Sequence, residues 1–172
     1  MNFNLAAYTL VHVVISLIAI GSGIVVLGGL LARTWLERWT KLFLTTTLAT
    51  SVTGYGFPVD HLLPSHIVGA ISIVVLALAI YARHARCLEG GWRTTYVISA
   101  VTALYLNVFV LVVQSFLRVP ALKALAPTQS EPPFAVAQLI VLLLFVVLGV
   151  LATKRSREGS FAPSAGGRRL RT

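Results

Sequence analysis

Five uncharged, largely apolar runs divide the chain: residues 5–32, 42–57, 62–82, 94–117 and 134–153. Runs of roughly 20 such residues match the hydrocarbon thickness of a bilayer. A helix satisfies its backbone hydrogen bonds internally, so each run predicts a transmembrane helix. The first is long enough to tilt strongly. The second, LFLTTTLATSVTGYGF, is short and carries Thr45, Thr46, Thr47, Thr50, Ser51 and Thr53. Such a helix belongs inside a bundle; a re-entrant segment is the alternative, disfavoured by the charges of the flanking loops. The pattern predicts an all-α protein, a five-helix transmembrane bundle over residues 1–153 with a basic tail over 154–172.

The loops orient this bundle. The first holds Arg33, Arg38 and Lys41 against Glu37, and the second holds no basic residue and one acid, Asp60. The third holds Arg83, Arg86 and Arg93 against Glu89. The fourth holds Arg118 and Lys123 against Glu131, and the tail carries six more basic residues. Basic charge thus alternates across the membrane, which predicts the N-terminus outside and the C-terminus in the cytoplasm. The fourth loop is mildly discordant, and its start, RVPALKAL, reads as an amphipathic segment along the outer interface. Five spans without an internal repeat argue against an inverted-repeat transporter.

Composition agrees: 57% hydrophobic and 11% charged residues, mean hydropathy +0.87, exceed what a soluble core of 172 residues buries. The net charge of +9 sits between apolar runs and in the tail KRSREGSFAPSAGGRRLRT, where anionic lipid headgroups are the expected partner and nucleic acid is the weaker reading. That tail, rich in Gly, Ser and Pro, is expected to be disordered. Cys87 is the single cysteine, so no intramolecular disulfide is encoded. The first run is too long for a signal peptide, lacks a basic leader, and is expected to be retained.

With orientation set, the polar residues gather on the outer side. By the helical rise, His12 lies about 10 Å and His66 about 6 Å below the outer helix ends. Thr50, Ser51, Thr53, Asn107, Gln114 and Gln138 occupy outer halves of their helices. His12 shares a face with Ser16, Ala19 and Gly23; small residues on that face let neighbours approach, which turns it inward. Asn107 and Gln114 continue a stripe with Ala100 and Ala103. These positions predict an outward-facing polar pocket lined by Ser16, Thr50, Thr53, Asn107, Gln114 and Gln138.

Two imidazoles at one depth on different helices are what a bis-histidine haem b needs, so His12 and His66 are candidate ligands. A metal site from Asp60, His61 and His66 is the second chemistry. Structural roles stand beside both: Asp60 capping the third helix with Pro64 in its first turn, His61 solvated in the loop, and His12 and His66 bonded to Ser16, Thr53 or Asn107. No Lys, Arg, Asp or Glu lies within a span, and no phosphate loop, nucleophile elbow or HExxH motif occurs.

The stretches HVVISLIAIGSGIVVLGGL, GFPVDHLLPSHIVGAISIVVLALAI and LYLNVFVLVVQSFLRVPALKALAPTQSEPPF resemble a group of small, uncharacterised bacterial integral membrane proteins. That resemblance implies a multi-pass protein of the bacterial inner membrane and no particular activity. Three functions follow from the residues: a cofactor protein holding haem b or a metal for electron transfer, a membrane scaffold or accessory subunit meeting a membrane partner or a second copy, and a carrier of a small neutral solute.

Overall fold

The computed structural model describes residues 3–57, 64–157 and 162–163, and the protein in these regions is almost wholly helical. The helices are α1 (Phe3–Leu31), α2 (Glu37–Gly54), α3 (Pro64–His84), α4 (Trp92–Arg118), α5 (Pro120–Leu125) and α6 (Pro132–Arg157). A two-residue strand β1 (Thr34–Trp35) pairs in parallel with β2 (Ala162–Pro163). Four segments are long and apolar enough to cross a membrane: Leu5–Leu31, His66–His84, Trp92–Arg118 and Pro132–Arg157.

Three boundaries correct the sequence reading. The second helix begins at Glu37 rather than residue 42 and stops at Gly54 rather than 57. Its first five residues therefore include Glu37, Arg38 and Lys41; an acid at a helix start is favoured by the macrodipole. With those charges and its threonines, α2 falls outside the four strongly apolar candidates. The tail expected from residue 154 is instead helical through Arg157, as Lys154 and Arg155 prolong the last turns of α6. Within RVPALKAL, Arg118 ends α4 and PALKAL forms α5, with no buried residue; Val119 is extended before Pro120, which occupies the first turn, where a missing N–H costs nothing.

Adjacent helices pack in the order α2, α1, α6, α4, α3 and back to α2, and α1 also meets α4 across the ring. The core gathers toward one end. Leu27 and Leu30 of α1, Phe43 of α2, Leu76 of α3 and Tyr96 and Leu104 of α4 are buried in it. That end carries Arg33, Lys41, Arg83, Arg93 and Arg157 and is called the basic end here. At the other end the helices are less closely covered, and His12, His66 and Asn107 are half-buried.

Close approach of α1 to its neighbours rests on one glycine. A Cβ on Gly23 would lie 2.6 Å from Leu104 Cδ1 and 2.8 Å from Phe43 Cε2. Ala19, one turn earlier, is fully buried, so the small-residue face expected on α1 is the packed one. Its neighbour Gly21 faces open space.

Candidate functional site

His12 stands on α1 opposite the last turn of α2. Its Nδ1 lies 2.8 Å from Thr53 Oγ1, and its ring meets the edge of Phe57 at 5.2 Å. Thr53 Oγ1 donates to Ala49 O at 2.7 Å. A hydroxyl has one proton; when Thr53 spends it on Ala49 O, it accepts from His12 Nδ1–H and leaves the imidazole lone pair on Nε2. Tyr8, one turn before His12, donates to Thr53 O at 2.6 Å. Its hydroxyl occupies the space above Gly56, where a Cβ would collide with it. The two side chains bind α1 to the end of α2.

His66 is placed differently. Tyr55 donates to the His66 carbonyl at 2.7 Å, and the two rings lie 5.4 Å apart. The Tyr55 ring lies over Gly69, where a Cβ would come within 3.2 Å of it. The end of α2 is thus a common partner: Thr53 takes the helix α1 histidine and Tyr55 the α3 one. Among the described residues, no hydrogen bond or ring contact joins His12 to His66. Asp60 and His61 lie outside the described residues, and within those residues no group of three metal-ligand side chains occurs.

The remaining polar residues are largely taken by bonds between or within helices. Asn107 donates to Thr47 Oγ1 at 3.1 Å, joining α4 to α2. Ser51 donates to Thr47 O at 2.9 Å and lies 3.0 Å from Ser72 Oγ, joining α2 to α3. Gln138 Nε2 donates to Phe109 O at 3.3 Å, joining α6 to α4. Ser16 donates to His12 O within α1. Gln114 is exposed. Two polar atoms of the expected pocket are buried with no partner among the described residues: Thr50 Oγ1 and Gln138 Oε1.

A second polar cluster lies at the basic end. Arg83, at the end of α3, is buried and donates from Nη2 to Glu37 Oε2, which also accepts from Trp35 Nε1 at 2.9 Å. Lys41 Nζ lies 3.3 Å from Glu37 Oε1. The guanidinium sits over the Trp35 ring, 4.9 Å from its centroid, a cation–π arrangement. The Trp35 indole above all, with Arg83 and Lys41, holds the Glu37 carboxyl down at about 2, against partial desolvation. Helix ends meet here as well: Arg155 of α6 donates to Leu31 O of α1 at 2.8 Å, supplying a donor to a carbonyl with no helical partner.

By charge alone, Arg83 and Glu37 belong to loops. Helical spacing carried the missing signal: Ser72, Leu76, Ala79 and Arg83 follow one another at three- and four-residue steps, and all are buried. An arginine ending an inward stripe calls for an acid, and Glu37 is the one supplied from α2.

No protein-family model, curated protein or solved structure matches this chain.

Proposed function

We propose that the chain is a multi-pass protein of a bacterial inner membrane. It crosses the bilayer five times, N-terminus outside and C-terminus in the cytoplasm, and serves as a non-enzymatic scaffold or accessory subunit. The observation that carries this reading is the pairing of intramembrane polar groups with one another. His12 with Thr53, Asn107 with Thr47 and Ser51 with Ser72 each join two helices. Such bonds tie membrane helices together. Three of the six partners belong to α2, so the least apolar helix is the one that the others hold. A span that presents hydroxyls to three neighbours, Thr53 to α1, Thr47 to α4 and Ser51 to α3, is stable inside a bundle, which supports α2 as the fifth crossing.

The second reading is a haem b or metal site, and the tautomer of His12 favours it. A ligating histidine has its other nitrogen bonded to an acceptor, which orients the ring and raises the basicity of the ligating atom. Thr53 is such an acceptor, and the Nε2 lone pair of His12 is the one that would ligate.

Purification in mild detergent separates the two. A scaffold is colourless, and His12→Ala lowers its melting temperature without altering its spectrum. A Soret band that weakens in His12→Ala or His66→Ala would replace the scaffold with the haem protein. A melting temperature raised by a neutral solute, and no longer raised in Asn107→Ala, would favour the carrier instead.

A further inference from the structure

An open groove of about 170 Å³ runs between α2 and α3 from the basic end, lined by Lys41, Leu44, Thr45, Leu48, Ile80 and His84. Positions 41, 44, 45 and 48 recur at helical spacing and give α2 one face toward it. α2 leaves the basic end and α3 returns to it, so Lys41 and His84 both stand at the mouth. Leu48 lies about 10 Å deeper along α2 by the helical rise. Polarity therefore falls with depth: two nitrogen donors at the mouth, one hydroxyl below them, and leucine and isoleucine as the floor.

The charges at the mouth do not balance. Arg83 and Lys41 share a single carboxylate, that of Glu37. Arg83 is buried against it. The Lys41 side chain is 65% exposed and 3.3 Å away, and an exposed pair of this kind contributes little. It occupies one of the three Nζ protons and leaves two. The His84 side chain is exposed, with no bond among the described residues. The lining contains a lysine and no acid, so it complements an anion.

Thr45 is a second and independent sign. Three hydroxyls of α2 turn back to a carbonyl one turn earlier: Thr46 to Leu42, Ser51 to Thr47 and Thr53 to Ala49. Thr45 is exposed in the groove and makes no such bond among the described residues. Its hydroxyl is a spare donor one turn below Lys41. Trp39, 45% exposed near the start of α2, is a residue of the membrane–water interface and marks the level of the mouth.

We propose that the groove holds one anionic phospholipid. Its phosphate meets Lys41 and His84, a glycerol-ester oxygen accepts from Thr45, and one acyl chain runs over Leu44, Ile80 and Leu48. The order of charge, ester and hydrocarbon along the lipid matches the order of the lining residues. This rests on the reading of α2 as a membrane crossing. It is separate from general attraction of the basic tail to anionic lipid, because it requires particular residues of α2 and α3.

The test uses the full chain in mild detergent, with melting temperature read against added phosphatidylglycerol, phosphatidylcholine and water-soluble glycerol phosphate. Phosphatidylglycerol is expected to raise the melting temperature well beyond the other two. Lys41→Gln removes the cation and Leu48→Trp fills the floor, and each is expected to lose more than half of that excess. Lys154→Gln, in the basic last turn of α6, is expected to keep it. Should Leu48→Trp fold poorly, the exposed Lys41→Gln carries the test alone. The proposal is overturned by no excess over phosphatidylcholine, by an equal rise with glycerol phosphate, by an undiminished excess in a folded groove variant, or by the same loss in Lys154→Gln. None of these touches the membrane reading, which fails only if alkaline carbonate releases the protein from its membranes.

Discussion

At the scale of single residues, two hydrogen-bonded ties and one ion cluster separate packing from chemistry. The His12–Thr53 and Asn107–Thr47 bonds each join α2 to a neighbour, and interhelical bonds of this kind contribute about 0.5 to 2 kcal/mol in membranes. Thr47→Val is expected to destabilise the protein by about that amount, and Asn107→Leu made on top of it to cost little more, as denaturation of the double mutant in mixed micelles would register. Full additivity would mean that the two side chains do not act as a pair. Glu37 makes a prediction in pH. Its folded value is about 2 against an ordinary 4.5, so its contribution to stability is complete above 4.5 and is lost as pH falls from there toward 2. Wild-type melting temperature should decline across that window. Glu37→Gln should melt lower at neutral pH and decline less on acidification; an unchanged slope would remove Glu37 from the account.

At the scale of elements, the helices were legible in the sequence because a bilayer permits so little else. Uncharged length alone located α1, α3, α4 and α6 to within a few residues, apart from the basic turns that prolong α6. The face of α1 was legible too. His12, Ser16, Ala19 and Gly23 recur at helical spacing, and Ala19 and Gly23 are buried. That face is testable through two glycines two positions apart. Gly23→Ala drives a methyl against Leu104 and the buried Phe43 ring and is expected to destabilise by about 1 to 3 kcal/mol. Gly21→Ala points into open space and is expected to be neutral or stabilising by up to about 1 kcal/mol. Equal effects in a thermal-shift comparison would mean that α1 packs by a different face. What the sequence hid was partnership. Depth placed His12 and His66 alike, yet depth carries no information on which neighbour each ring meets, and α2 supplies a different partner to each. Arg83 was hidden for a related reason: its charge suggested a loop, whereas its position on the Ser72, Leu76, Ala79 stripe buries it.

At the scale of the whole molecule, burial and charge are distributed along the same axis. The closely packed core, the Arg83–Glu37 cluster and the Arg155–Leu31 clasp all lie at the basic end. At the histidine end the residues that tie the helices, Tyr8, His12, Thr53 and His66, are only half-buried. A bundle anchored at one end and looser at the other exposes its polar seam on the side opposite the positive charge. If the positive-inside pattern governs insertion, the firm end is cytoplasmic and the seam faces out. Cys87 offers a direct measurement, since it is the only cysteine, it is exposed, and it stands at the turn between α3 and α4 at the basic end. A membrane-impermeant maleimide added to intact cells or right-side-out vesicles should leave Cys87 unlabelled, and permeabilisation should expose it. A cysteine introduced at His61, with Cys87 replaced by Ser, should show the reverse. Labelling of Cys87 from outside would invert the molecule, placing the histidine seam in the cytoplasm. Labelling of both positions from one side would mean that α3 fails to cross, and with it the five-span topology.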